Sequence, residues 1–188
     1  MIYLSGQDVL WAVAVEQYGH ATTRNARDAG IAPVTVRQLV FRGKLVPAAR
    51  GVYRFPKFPV TRYDAYMLAV LWTGSPAARL SHETALANYE VCDVNPERIH
   101  PCVPRSARIR RKGGETYVLH YEDLDAQDES WSRGIPTVTL AAAMRQCIDT
   151  GTPSDLVRQA LESGRRYGLR LPGEVAGLEQ RLADRAGR

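Results

Sequence analysis

Residues Thr22 to Phe55 read TTRNARDAGIAPVTVRQLVFRGKLVPAARGVYRF. The pattern is two short helices about a Gly turn, followed by a tight hairpin with Arg at its tip. Thr22 or Thr23 can cap a helix N-terminus, because a hydroxyl oxygen there accepts an orphan backbone N–H. The helix Arg24 to Ala29 stops at Gly30, which suits the left-handed turn after a helix, and Ile31 follows as an apolar plug. Pro33 fits the first turn of the next helix, where its missing N–H costs nothing. In Pro33 to Arg42, Val36, Leu39 and Val40 share one face at helical spacing. Val34, Thr35, Arg37, Gln38, Phe41 and Arg42 fall on the other. Leu45 to Ala48 and Val52 to Phe55 then read as two strands around the turn Ala49-Arg50-Gly51. The stretch predicts a winged helix-turn-helix, a fold commonly used to grip DNA.

The chemistry of the exposed face agrees with that use. Arg pairs best with guanine and Gln with adenine in a major groove, which makes Thr35, Arg37, Gln38 and Arg42 candidate DNA contacts. Lys44, Arg50 and Arg54 line the hairpin and its tip, as cations that hold phosphates and set register. The same helix face taken alone also fits an ordinary solvated surface. Charge distribution favours the first reading. Residues 1–60 hold eight Lys and Arg against three acids, a net of +5, whereas residues 113–153 hold two against seven acids, a net of −5. The excess positive charge lies with the predicted DNA-binding motif.

Outside this stretch the chain of 188 residues, 45% of them hydrophobic, is large enough to bury a core. No run approaches the roughly 18 apolar residues that a membrane span requires. The N-terminal MIYLSGQDVLWAVAVEQYGH has no basic leader and reads as a helix capped by Ser5 with Asp8. Its inner face would be Leu10, Trp11, Val13, Ala14 and Tyr18. The chain is expected to remain in the cytoplasm. Cys92, Cys102 and Cys147 form no disulfide framework or C-x-x-C pair. His20, His82, His100 and His120 lack ligand spacing, so no metal site and no cofactor are expected.

Pro56 to Pro59 reads as a linker, giving domains at 1–58 and 59–188. In the second, Tyr63 to Trp72 is an apolar helix, and Ser81 caps a helix from His82 to Tyr89. Strands are expected at Ile99–Val103, Tyr117–His120 and Thr137–Val138, and helices at Leu140–Ile148, Asp155–Tyr167 and Glu174–Ala186, the last two parted by Pro172-Gly173. The fold class is α+β, with an N-terminal winged helix-turn-helix and a mixed α/β C-terminal domain. Between the first two strands lies a basic loop with Arg105, Arg108, Arg110, Arg111 and Lys112. It fits a second nucleic-acid contact, a toxin-facing surface or a solvated loop. The acidic run from Glu122 to Glu129 reads as a solvated loop. Ser81-His82-Glu83 invites a hydrolase reading, but adjacent helix residues diverge by about 100°, and no nucleophile elbow, P-loop or dinucleotide fingerprint is present. The chain is therefore not expected to be an enzyme.

Three groups of residues together resemble the AbiEi family of antitoxin-type transcriptional regulators. The first is Gly30-Ile31 with Arg42-Gly43-Lys44-Leu45-Val46 and Arg50-Gly51-Val52-Tyr53. The second is Leu80-Ser81-His82-Glu83-Thr84-Ala85-Leu86 followed by Ile99-His100 and Val103-Pro104-Arg105. The third is Gly134-Ile135-Pro136-Thr137-Val138-Thr139, where Thr139-Leu140-Ala141 stands for the usual Thr-Pro-Ala. The resemblance implies a winged helix that represses its own operon, on operator DNA with inverted repeats. It also implies a C-terminal domain that counteracts a co-encoded nucleotidyltransferase toxin, functionally or by direct contact, as in phage defence by abortive infection. The alternative is a winged-helix regulator whose C-terminal domain senses a ligand or dimerises.

Overall fold

The computed structural model describes residues 5–112, 114–166 and 175–186. The fold is mixed α+β and divides into two compact units. The first comprises the described residues of Met1–Pro76 and Arg108–Gly114, the second those of Ala77–Ala107 and Glu115–Arg188.

The first unit opens with helix α1 (Gly6–Glu16), and the expected cap is present. The Ser5 hydroxyl accepts from the Asp8 N–H at 3.2 Å, and the Asp8 carboxylate accepts from the Ser5 N–H at 3.0 Å. A three-residue strand, β1 (His20–Thr22), follows and was not expected from sequence. Thr22 ends the strand and caps helix α2 (Thr23–Asp28) in a second reciprocal box with Asn25. Gly30 turns the chain at φ 69°. Helix α3 (Pro33–Phe41) begins on its proline, as anticipated. Strands β2 (Val46–Ala49) and β3 (Val52–Arg54) then form the predicted hairpin, with a register shift between Pro47 and Ala49. The antiparallel sheet runs β1-β3-β2.

Leu10, Ala14, Ala21, Ala26, Val36, Leu39, Leu45 and Phe55 form the core of this unit. Trp11 departs from the expected inner face. The residue is 38% exposed, and its ring packs edge-on against Phe55. Gly19 lies where only glycine fits, since its φ is 82° and an added Cβ would come within 2.7 Å of Phe58 Cβ. Helix α4 (Asp64–Thr73), expected with the C-terminal elements, packs on all three strands of this sheet. The expected linker before it is a tight turn, because Arg54 donates to the carbonyls of Phe55, Phe58 and Pro59.

The second unit holds a mixed sheet of order β6-β5-β4-β8-β7. Its strands are β4 (Arg79–Leu80), β5 (Pro101–Val103), β6 (His120–Tyr121), β7 (Glu129–Ser132) and β8 (Ile135–Val138). Strands β4 and β8 are parallel, as are β5 and β6. The strand β7 corrects the end of the acidic run, where Glu129 pairs with Val138 and its carboxylate meets Arg79. Helices α5 (His82–Tyr89), α6 (Leu140–Thr150), α7 (Ser154–Arg166) and α8 (Val175–Ala186) bury Leu86, Met144, Val157, Leu178 and Leu182 in one core. Thr139 caps α6 by accepting from the Ala142 N–H. Tyr167, Pro172, Gly173 and Glu174, expected in or between the last two helices, lie outside the described residues.

Candidate nucleic-acid interface

Helix α3 buries Val36 and Leu39 and turns Val34, Arg37, Gln38, Phe41 and Arg42 to solvent, with Thr35 half-buried. This is the division that its apolar spacing predicts. Phe41 is 92% exposed, which is unusual for a large apolar ring and leaves its face available to an apolar group such as a thymine methyl. Lys44 is exposed just beyond the helix, whose end is tied down by the Lys44 and Leu45 N–H groups donating to the Leu39 carbonyl. At the hairpin tip Arg50 is exposed. The tip is fixed to the start of α2, because the Thr23 N–H donates to the Gly51 carbonyl at 2.9 Å. A hairpin anchored in this way holds its tip in one place relative to α2.

Arg54 behaves differently from the other candidate cations. Its guanidinium donates to Asp64 through Nε at 3.1 Å and Nη2 at 2.8 Å, besides the three carbonyls of the turn. Both side chains of the pair are largely buried. Burial works to raise the Asp64 carboxyl, but hydrogen bonds from the Thr61 N–H and hydroxyl and from Arg54 outweigh it and hold the group below its ordinary range. Arg54 therefore ties α4 to the sheet, and its donors are spent inside the protein.

The basic loop is split by the fold. Arg105 lies in the second unit, where its N–H donates to Asp123 at 3.0 Å. Arg108 to Lys112 lie in the first unit. Arg111 donates to the Arg50 carbonyl at 2.7 Å, and the Trp72 indole N–H donates to the Lys112 carbonyl at 3.0 Å. Burial and then the neighbouring Arg50 charge push the Arg111 guanidinium below its ordinary range. Arg108, Arg110 and Lys112 remain exposed. The sequence places these cations some sixty residues from Arg50 and gives no signal that they meet.

The second unit gathers polar groups in its interior instead. Ser81 is not the side-chain cap expected of it. Its hydroxyl donates to the His100 carbonyl at 2.9 Å and lies 2.9 Å from His82 Nδ1. The buried hydroxyl proton is therefore directed at a backbone oxygen rather than at a substrate. The His82 N–H donates to Gln146 at 3.1 Å, Gln146 donates to Glu122, and the His100 N–H donates to Thr84 at 2.9 Å. The rings of His82 and His120 stack with centroids 3.6 Å apart, and His100 Nδ1 lies 3.1 Å from His120 Nε2. Burial and then the neighbouring histidines push His82 down to about 3, and burial and then His100 push His120 down to about 4. Burial pushes His100 down as well. Their spacing along the chain gives no hint of this cluster, because it is assembled from the start of α5, the residue before β5 and strand β6.

Residues 12–56 match a family described as transcriptional regulator, AbiEi antitoxin. No curated protein matches. Among solved structures, the RV2827C protein from Mycobacterium tuberculosis is similar at 16% identity and a TM-score of 0.44, over 93% of this chain and 79% of that one. No helix among the described residues is long and apolar enough to cross a membrane. The resemblance to AbiEi antitoxin transcriptional regulators is thereby shown for residues 12–56, the segment that carries α2, α3 and the hairpin.

Proposed function

We propose that the first unit is a winged helix-turn-helix that binds operator DNA, and that the chain is the autorepressor and antitoxin of a toxin-antitoxin operon in the cytoplasm. Helix α3 enters the major groove, with Thr35, Arg37, Gln38 and Arg42 facing base edges and flanking phosphates. The hairpin β2–β3 is the wing, with Lys44 and Arg50 on phosphates. The observation that carries this reading is the exposed Arg37-Gln38-Phe41-Arg42 face of α3, in the same unit as a hairpin whose tip carries Arg50.

Arg111 supports an extension of the wing surface. The Arg111 guanidinium donates to the Arg50 carbonyl and feels the Arg50 charge, and a phosphate bound beside both would offset that repulsion. Arg108, Arg110 and Lys112 are exposed cations of the same unit, and a second nucleic-acid contact is the favoured reading of that part of the loop. The antitoxin half of the proposal takes its class from the family matched by residues 12–56, while neutralisation of a nucleotidyltransferase toxin by the second unit rests on the sequence resemblance alone.

The test uses the full chain in two assays. Fluorescence anisotropy should show tighter binding to the chain's own promoter than to random duplex, with affinity falling steeply with salt as counterions are released. Co-expression with the neighbouring gene should rescue growth. Equal binding to both duplexes would remove the repressor reading, and failure of rescue from an unrelated promoter would remove the antitoxin reading.

A further inference from the structure

We propose that His82, His100 and His120 form a binding site for a divalent transition-metal ion of the zinc class. Each histidine offers a ring nitrogen, and these atoms lie within 4.8 Å of one another. His100 Nδ1 and His120 Nε2 are already 3.1 Å apart. Two nitrogens bound at ordinary zinc distances to one tetrahedral ion stand about 3.3 Å apart. This pair therefore has the required spacing before any ion arrives. An ion entering here replaces the proton now shared between the two rings, and the donor ring moves that proton to its outer nitrogen.

The third ligand has its tautomer set by the protein. The Ser81 hydroxyl has one proton and gives it to the His100 carbonyl, so towards His82 it can only accept. His82 Nδ1 must carry the ring proton, and Nε2 keeps its lone pair for a metal. This is the orienting partner that ligating histidines commonly have. The backbones of His82 and His100 are held in turn by Gln146 and Thr84. Two movements are required. The His100 and His120 nitrogens face one another along a hydrogen bond and must turn to converge on an ion. The His82 and His120 rings lie within 18° of parallel, so the stack must open for the His82 lone pair to converge with the other two. His100 and His120 are only half-buried, which gives an ion a way in. Imidazole ligands without carboxylate suit zinc, copper or nickel and not magnesium or calcium. Three protein ligands leave a fourth position for water.

The inference does not depend on DNA binding, and its test reads the metal directly. The full chain, stripped with a chelator, is titrated with Co²⁺ and then with Zn²⁺. One Co²⁺ per chain should give the visible absorption of a tetrahedral site, and one equivalent of Zn²⁺ should bleach it. In the same unmutated chain, the imidazole NMR signals of His82, His100 and His120 should shift while those of His20 stay in place. His120→Gln should weaken zinc binding by at least about 100-fold, and Ser81→Ala by about 10-fold through loss of the orienting hydrogen bond. Absence of Co²⁺ binding by the folded chain would overturn the proposal. So would equal shifts at His20, or undiminished zinc affinity in folded His120→Gln. If that variant does not fold, the NMR shifts of the unmutated chain decide.

Discussion

The two units handle their polar side chains in opposite ways. The first leaves Arg37, Gln38, Arg42, Lys44 and Arg50 in solvent on elements whose apolar sides are packed. The second buries Ser81, His82, Thr84 and Gln146 and pairs them with one another or with backbone. Exposed cations on rigid elements gain most from a partner that supplies negative charge along an extended surface. Mutually oriented imidazoles gain most from a small ligand held between them. Arg54 is the exception within the first unit, with the residue type of the surface set and the bonding of an interior group.

The largest expected effect sharpens that exception. Arg54→Ala removes one partner of a largely buried ion pair and should destabilise the first unit by about 3 kcal/mol, read as a fall in thermal midpoint. Asp64 has a lower pKa folded than unfolded. The pair's contribution is therefore full above the ordinary carboxylate pKa and is lost as pH falls through the lower folded value. The midpoint difference between wild type and Arg54→Ala should accordingly shrink below about pH 4. A constant difference down to pH 2 would mean that the carboxylate is not the partner that matters.

Arg37→Ala should do the reverse, leaving the thermal midpoint unchanged while costing about 2 kcal/mol of binding to the cognate site and relaxing preference at one base pair. An equal loss on every sequence in a randomised-operator titration would show that α3 does not read bases. In the second unit, Thr84→Val strands the part-buried His100 N–H and should cost about 1 kcal/mol of stability, measured by urea denaturation. A neutral result would mean that water reaches that N–H. The smallest effect belongs to Arg50→Ala, which should weaken all DNA sequences alike and reduce the slope of log affinity against log salt by about one unit.

The first unit was legible because its signals are local. Gly30, Pro33 and the spacing of Val36, Leu39 and Val40 lie within eleven residues and specify a turn and a helix face. The capping residues Ser5 and Thr22 also act within one turn. Strands β1, β4 and β7 were not legible, since two to four residues each become strands through pairing with distant partners and not through their own preference. The role of Arg54 depends on Asp64, and that of the basic loop on Trp72 and Arg50, contacts that no periodicity encodes. The histidine cluster is the extreme case. His82, His100 and His120 are about twenty residues apart, and only the sheet and the start of α5 bring their rings together.

The return of residues 108–114 to the first unit has a consequence for synthesis. The backbone crosses between the units three times, at Pro76/Ala77, Ala107/Arg108 and Gly114/Glu115. On the ribosome, α1 to α4 emerge first and can collapse around Leu10, Leu39 and Phe55. Trp72 and the Arg50 carbonyl must wait for Lys112 and Arg111. At about 5–20 residues per second that interval lasts a few seconds, during which the nascent hairpin lacks its last strap. Neither unit is a bead on a string. A single cut in the chain cannot part them cleanly, and each is finished only when the other has begun.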